Sequence, residues 1–161
     1  MKIGPLIYLI RFLETKKGEI DKIKEKILTT EPADPFMGSF LALNLHHLYC
    51  ALEDIFKEIG KVFENQIEDL SKYHLELLKR MTYDLSPLRP AVLSQESFDL
   101  LNELRKFRHF LRHAYSVELD LISLKRLKDM VREKFVVVER DLDNFRDYLE
   151  GELKKKLEEV A

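Results

Sequence analysis

The chain has one cysteine, Cys50, no tryptophan, and only five glycines and five prolines among 161 residues. A lone cysteine excludes an intramolecular disulfide and any cysteine-rich zinc module, and it suits a reducing compartment. So few turn-forming residues disfavour a β-sandwich or barrel. Charge of one sign is missing too: 27 Lys and Arg stand against 29 Asp and Glu. No global field therefore marks a nucleic-acid binder, and any such contact must come from a local patch. Apolar runs are short, because charge interrupts them every three or four residues, so no membrane span is expected. The stretch from Met1 to Leu13 lacks a small-residue cleavage site and continues into a helical pattern. It reads as a first helix and not as a signal peptide, and the expected location is the cytoplasm. There is no glycine-rich phosphate loop, no G-x-S-x-G and no catalytic cysteine signature, so no cofactor is expected.

What is present is helical periodicity over one domain, residues 1–161. Hydrophobic residues at 45% and charged residues at 35% argue against disorder. Leu6, Ile10, Leu13, Ile20, Ile23 and Ile27 define a first helix that stops at Glu31-Pro-Ala-Asp-Pro35, where two prolines remove donors and turn their predecessors away from helix. A second helix carries Leu41, Leu45, Leu48, Leu52, Ile55, Ile59 and Val62 at alternating four- and three-residue steps. A weaker third segment bears Ile67, Leu70, Leu77, Leu78 and Met81. Ser94 suits the cap of a fourth helix, and Asp120 or Ser123 that of a fifth. The fifth would run about 55 Å to the chain end, so it must break, fray or extend beyond a compact body. Gly151 and the Val136–Val138 run are its weak points, and residues from about 150 onward read as a tail that can fray. The expected fold is all-α, an antiparallel bundle of four to five helices.

One helix breaks the pattern. The fourth places Arg108 on its own apolar stripe between Leu104 and Leu111, inside the window Arg105-Lys-Phe-Arg-His-Phe-Leu-Arg-His-Ala-Tyr115. Three arginines, one lysine and two histidines crowd this stretch of a nearly neutral protein. An arginine near an apolar face needs an anion, because burying an unpaired guanidinium is costly. One reading is a structural ion pair with Glu53 or Asp54 of the second helix. The other is a phosphate site, in which arginine supplies a permanently charged fork and histidine a proton carrier near neutral pH. RNA cleavage without metal needs both functions: a base for the 2′-hydroxyl, an acid for the leaving 5′-oxygen, and a cation for the phosphorane. Two chains related by a two-fold axis would double this equipment in one cleft.

The stretch Arg108-His-Phe-Leu-Arg-His113-Ala-Tyr115 matches the R-x4-H-x-Y motif, and the chain resembles the HepT ribonuclease toxins of the all-helical HEPN superfamily. His109 fits the polar position after the arginine. The resemblance implies a homodimer with a composite, metal-independent endoribonuclease site in which Arg108 holds the phosphate and His113 is the acid or base. It also implies an RNA substrate and a minimal nucleotidyltransferase antitoxin as partner, which silences the toxin by transferring AMP to Tyr115. Added phosphate beside a phosphate-binding cleft blocks it and repels RNA. Arg112 departs from the pattern: its like charge beside His113 favours the neutral, base-competent imidazole. A non-catalytic helical module that dimerises and docks a nucleotidyltransferase is the alternative from another class.

The remaining candidates fall around this window. Glu53 is the expected orienting partner of Arg108 or Arg112, with Tyr49 on the same face four residues away. His74, on the third helix, either lines the cleft or is an ordinary half-exposed residue. His46 and His47 are adjacent on a helix, so their side chains diverge by about 100° and chelate one metal poorly. His109 and His113 have zinc-like spacing, but the glutamate of the metalloprotease motif and a third ligand are missing, so no metal site is expected. Phe107 and Phe110, interleaved with basic residues, are the aromatics placed to stack on RNA.

Overall fold

The computed structural model describes residues 2–64, 73–113 and 118–161, with His113 described by its backbone alone. Five helices, α1 (Ile3–Thr29), α2 (Pro35–Glu64), α3 (His74–Arg80), α4 (Gln95–His113) and α5 (Leu121–Val160), make an all-α bundle, and no strand occurs among the described residues. None of these helices is long and apolar enough to cross a membrane.

The period seen along the second helix is its packing. Leu41, Leu45, Leu48, Leu52, Ile55 and Ile59 are buried, and α2 touches all four other helices. Around it lie Leu6, Leu9, Leu13, Ile20 and Ile27 of α1, Leu100, Leu101 and Leu104 of α4, and a stripe from Leu124 to Leu149 on α5. Each such side chain is worth roughly 1.5–3 kcal/mol when taken fully out of water.

The helix starts follow their caps. Pro35 opens α2 and the Asp34 carboxylate accepts the Met37 N–H at 2.8 Å, so the proline-rich break is also a built N-terminus. The Ser97 N–H donates to Ser94 Oγ at 3.3 Å, and Asp141 of α5 accepts from both serine hydroxyls and the Ser94 N–H. Asp120 caps α5 by accepting from Ile122 N and Ser123 Oγ. The buried Lys128 of α5 donates to Thr30 O at 2.8 Å and to Glu31 at 2.7 Å, which latches the α1–α2 linker onto α5. In the first turn of α2, Gly38 lets Leu121 approach so closely that a Cβ there would lie 2.5 Å from its Cδ2.

Of the fates open to the fifth helix, extension is the one realised. It runs 40 residues without interruption, about 60 Å at 1.5 Å per residue. Helix continues through Val136–Val138 and through Gly151, and buried positions end at Leu149. Val138 is buried while Val136 faces solvent, so the valine run obeys the helical stripe. Within the third segment the described residues form the seven-residue α3, and Ile67 and Leu70 fall outside the described residues.

Candidate active site

Leu101 and Leu104 anchor one face of α4 in the core, and the same stripe carries the half-buried Arg108 one turn further on. Facing it on α2, residues spaced three and four apart bring His46, Tyr49 and Glu53 to one side. The first residue of α3, His74, stands between the two helices. Its Nδ1 lies 2.7 Å from Glu53 Oε2, and its Nε2 lies 3.4 Å from an Arg108 terminal nitrogen.

These contacts assign the imidazole's protons. A guanidinium only donates, so Nε2 must present its lone pair. The proton is then on Nδ1, where it is donated to the acceptor-only Glu53 carboxylate. The chain carboxylate–imidazole–guanidinium is satisfied in one protonation pattern, with His74 neutral. Glu53 is 2% exposed, and its second oxygen lies 3.6 Å from Lys57 Nζ. The Arg108 Nε is buried with no hydrogen-bond partner among the described residues.

Two further groups line this cluster. Tyr49 is fully buried; burial first, and then the Glu53 charge, push its hydroxyl well above the ordinary tyrosine range. It therefore stays protonated. His46 is pushed the other way: burial, and then the charges of Arg108, His47 and Arg112, lower its affinity for a proton. Its Nε2 lies 3.6 Å from the Cys50 sulfur, and its Nδ1 is buried without a partner among the described residues.

The structure brings Arg108 and Glu53 into one cluster, but they do not meet directly. Glu53 acts on Arg108 through His74, a bridge the sequence does not show. Asp54, the other carboxylate considered, pairs with Lys16 at 3.1 Å. Arg112 and His109 are exposed on α4, and Arg105 donates from Nε to Asn102 at 2.9 Å. Phe107 is half-buried against the core, whereas Phe110 is exposed. The His113 backbone ends α4; its side chain and Tyr115 lie outside the described residues. The signal for His74 was only its position in Tyr73-His-Leu-Glu76, because which helix α3 leans on is a tertiary fact.

The architecture and the site define a class: an all-helical protein with a polar, histidine-bridged arginine set into the groove between two bundle helices. A family model described as HepT-like protein matches residues 40–149, more than half of the chain. The chain belongs to this HepT-like family of HEPN-type proteins. The matched span runs from the second turn of α2 to Leu149, the last buried position of α5, and includes Glu53, His74, Arg108, His113 and Tyr115. No curated protein and no solved structure gives a match.

Proposed function

We propose that the chain is a toxin-type endoribonuclease that cuts RNA without metal, with Arg108 gripping the scissile phosphate and His113 moving a proton. The observation that carries this reading is Arg108 itself: a half-buried guanidinium on an apolar stripe whose partner among the described residues is a neutral ring nitrogen at 3.4 Å. Such a cation retains its attraction for an anion, and a phosphodiester offers the fork a better partner than an imidazole lone pair. The R-x4-H-x-Y spacing and the HepT-like family membership support the same reading.

A homodimer completes the site. Phe36, Phe40 and Leu43 of α2 are all exposed, and with the exposed His47 they form a stripe at four-, three- and four-residue steps. Exposed Phe110 stands near the end of α4. An apolar stripe beside a basic helix is suited to a second copy of the chain across a two-fold axis. Phe40→Asp is expected to convert a dimer to a monomer by light scattering and to remove cleavage, while leaving the helical circular dichroism intact. A minimal nucleotidyltransferase is the proposed antitoxin. It would join AMP to the Tyr115 hydroxyl, releasing pyrophosphate from ATP, and the added phosphate would repel RNA from the arginines.

Expression in bacteria and assays with purified protein test the proposal. Wild type is expected to arrest growth and to cut RNA in excess EDTA, leaving 2′,3′-cyclic phosphate ends, and His113→Ala to do neither. A wild type that leaves growth and a broad set of RNAs untouched overturns the nuclease reading in favour of a docking module.

A further inference from the structure

The Glu53–His74 pair is more than a prop for Arg108. Its geometry is that of a buried carboxylate holding one imidazole nitrogen so that the other offers a lone pair outward, the arrangement by which a neutral histidine accepts a proton from a hydroxyl. The Glu53 side chain is 3% exposed and that of His74 19%, so the carboxylate is sealed and the ring reaches solvent. The bond that occupies Nε2 is the long one to Arg108, 3.4 Å, against 2.7 Å on the Glu53 side. A phosphodiester that recruits the guanidinium exchanges this weak bond for charge-assisted ones. Nε2 is then released next to the bound phosphate, where the neighbouring ribose lies.

We propose that His74 is the general base of this site, with Glu53 as its positioning residue. The inference rests on the ribonuclease reading above. In the reaction, the 2′-hydroxyl proton passes to His74 Nε2 as the 2′-oxygen bonds to phosphorus. The bond from phosphorus to the 5′-oxygen breaks, and that oxygen takes a proton from the acid, the role left to His113. The products are a 2′,3′-cyclic phosphate and a 5′-hydroxyl, and His74 then returns its proton to water. No electron donor or metal enters the balance. Among the described residues, the charged groups bonded to the ring are Glu53 on α2, with Lys57 3.6 Å from that carboxylate, and Arg108 on α4. The protonated Tyr49 lies beside Glu53 on the same helix.

The test compares wild type, His74→Gln and His74→Asn on an RNA with a mapped wild-type cut site, and on the same RNA with sulfur in place of the leaving 5′-oxygen. Sulfur leaves without protonation, so the second substrate bypasses the acid but still needs the base. His74→Gln is expected to cut both substrates about 100-fold or more slowly and to lose the acidic limb of the pH–rate profile. It should bind the uncleavable 2′-deoxy version within about twofold of wild type. His113→Ala, by contrast, should recover on the sulfur substrate. Where His74→Gln melts early, His74→Asn carries the same expectations.

Three results overturn the assignment: cutting within about threefold of wild type, an unchanged pH profile, or weakened 2′-deoxy binding that accounts for the whole loss. The last would leave His74 merely aiming Arg108. Failure of the wild type to cut any RNA is a different result, since it removes the ribonuclease reading together with the base.

Discussion

Two arginines of this molecule, Arg89 and Arg108, sit on the same bundle and are treated in opposite ways. The Arg89 side chain is fully buried, and its terminal nitrogens donate to the carbonyls of Arg80, Tyr83 and Pro90 and to the Glu64 carboxylate. Arg108 is half-buried, and its one hydrogen bond to a described residue is long and ends on an imidazole. Arg89 ties the segment after α3 to the end of α2; its Nε, like that of Arg108, has no hydrogen-bond partner among the described residues, but the whole side chain is sealed from solvent. Arg108, at the rim of a groove, pairs directly with no carboxylate among the described residues. A guanidinium sealed in the interior with both terminal nitrogens engaged is a structural part, while an under-bonded one at the surface is a candidate for chemistry.

Breaking this contrast should give the largest effect at Arg89. Arg89→Met removes the donor to the Tyr83 and Pro90 carbonyls and the closest partner of the Glu64 carboxylate, and is expected to cost about 3–5 kcal/mol in urea unfolding. Any loss of RNA cutting should then follow the unfolded fraction. Arg108→Ala should do the reverse, changing stability by less than about 1 kcal/mol. It should slow cleavage about 100-fold or more, close to 2.7 kcal/mol of transition-state stabilisation. Arg108→Lys separates charge from shape: it keeps the cation, loses the planar fork, and is expected to fall near the alanine variant in cleavage.

The smallest effect sharpens the electrostatics around Arg108. Burial and the nearby cations hold His46 below its ordinary value of 6.5. On acidification the unfolded chain therefore takes up a proton at His46 before the folded one does, and stability falls as pH drops below that value. Above it both states are neutral and the residue is indifferent to pH. His46→Asn should flatten the decline in urea midpoint between pH 7 and 5.5. An equal slope in both proteins would show that this imidazole is not held neutral by Arg108 and its surroundings.

Much of the fold was legible because helices repeat locally. The α2 stripe, the Ser94 cap and the Asp120 cap follow from spacing and from the hydroxyl or carboxylate at a helix start. Asp34 escaped notice because the prolines on either side of the linker signalled only a break, whereas Pro35 and Asp34 together start the next helix. For α5 the sequence left breaking, fraying and extension open, and the helix continues through Gly151. A single glycine costs about 1 kcal/mol in a helix, which a stripe of buried residues ending only at Leu149 readily outweighs.

The site was half legible. Arg108 stood out because a cation on an apolar stripe contradicts the stripe, and Glu53 because it interrupts another. Their connection was hidden. Spacing says which residues share a face of one helix, not which faces meet, and His74 belongs to a seven-residue helix too short to announce its partners. Arg89 drew no attention for the same reason, since its value lies in carbonyls contributed by a folded loop.

The sequence by itself determined that this protein is an all-helical bundle with a motif-bearing basic helix, because periodicity, caps and motif spacing are properties of neighbours along the chain. Only the tertiary structure decided that Glu53 reaches Arg108 through His74, because the packing of α3 against α2 and α4 brings together groups 21 and 34 residues apart. Contacts at that separation are set by which apolar faces bury one another, and no local pattern records them.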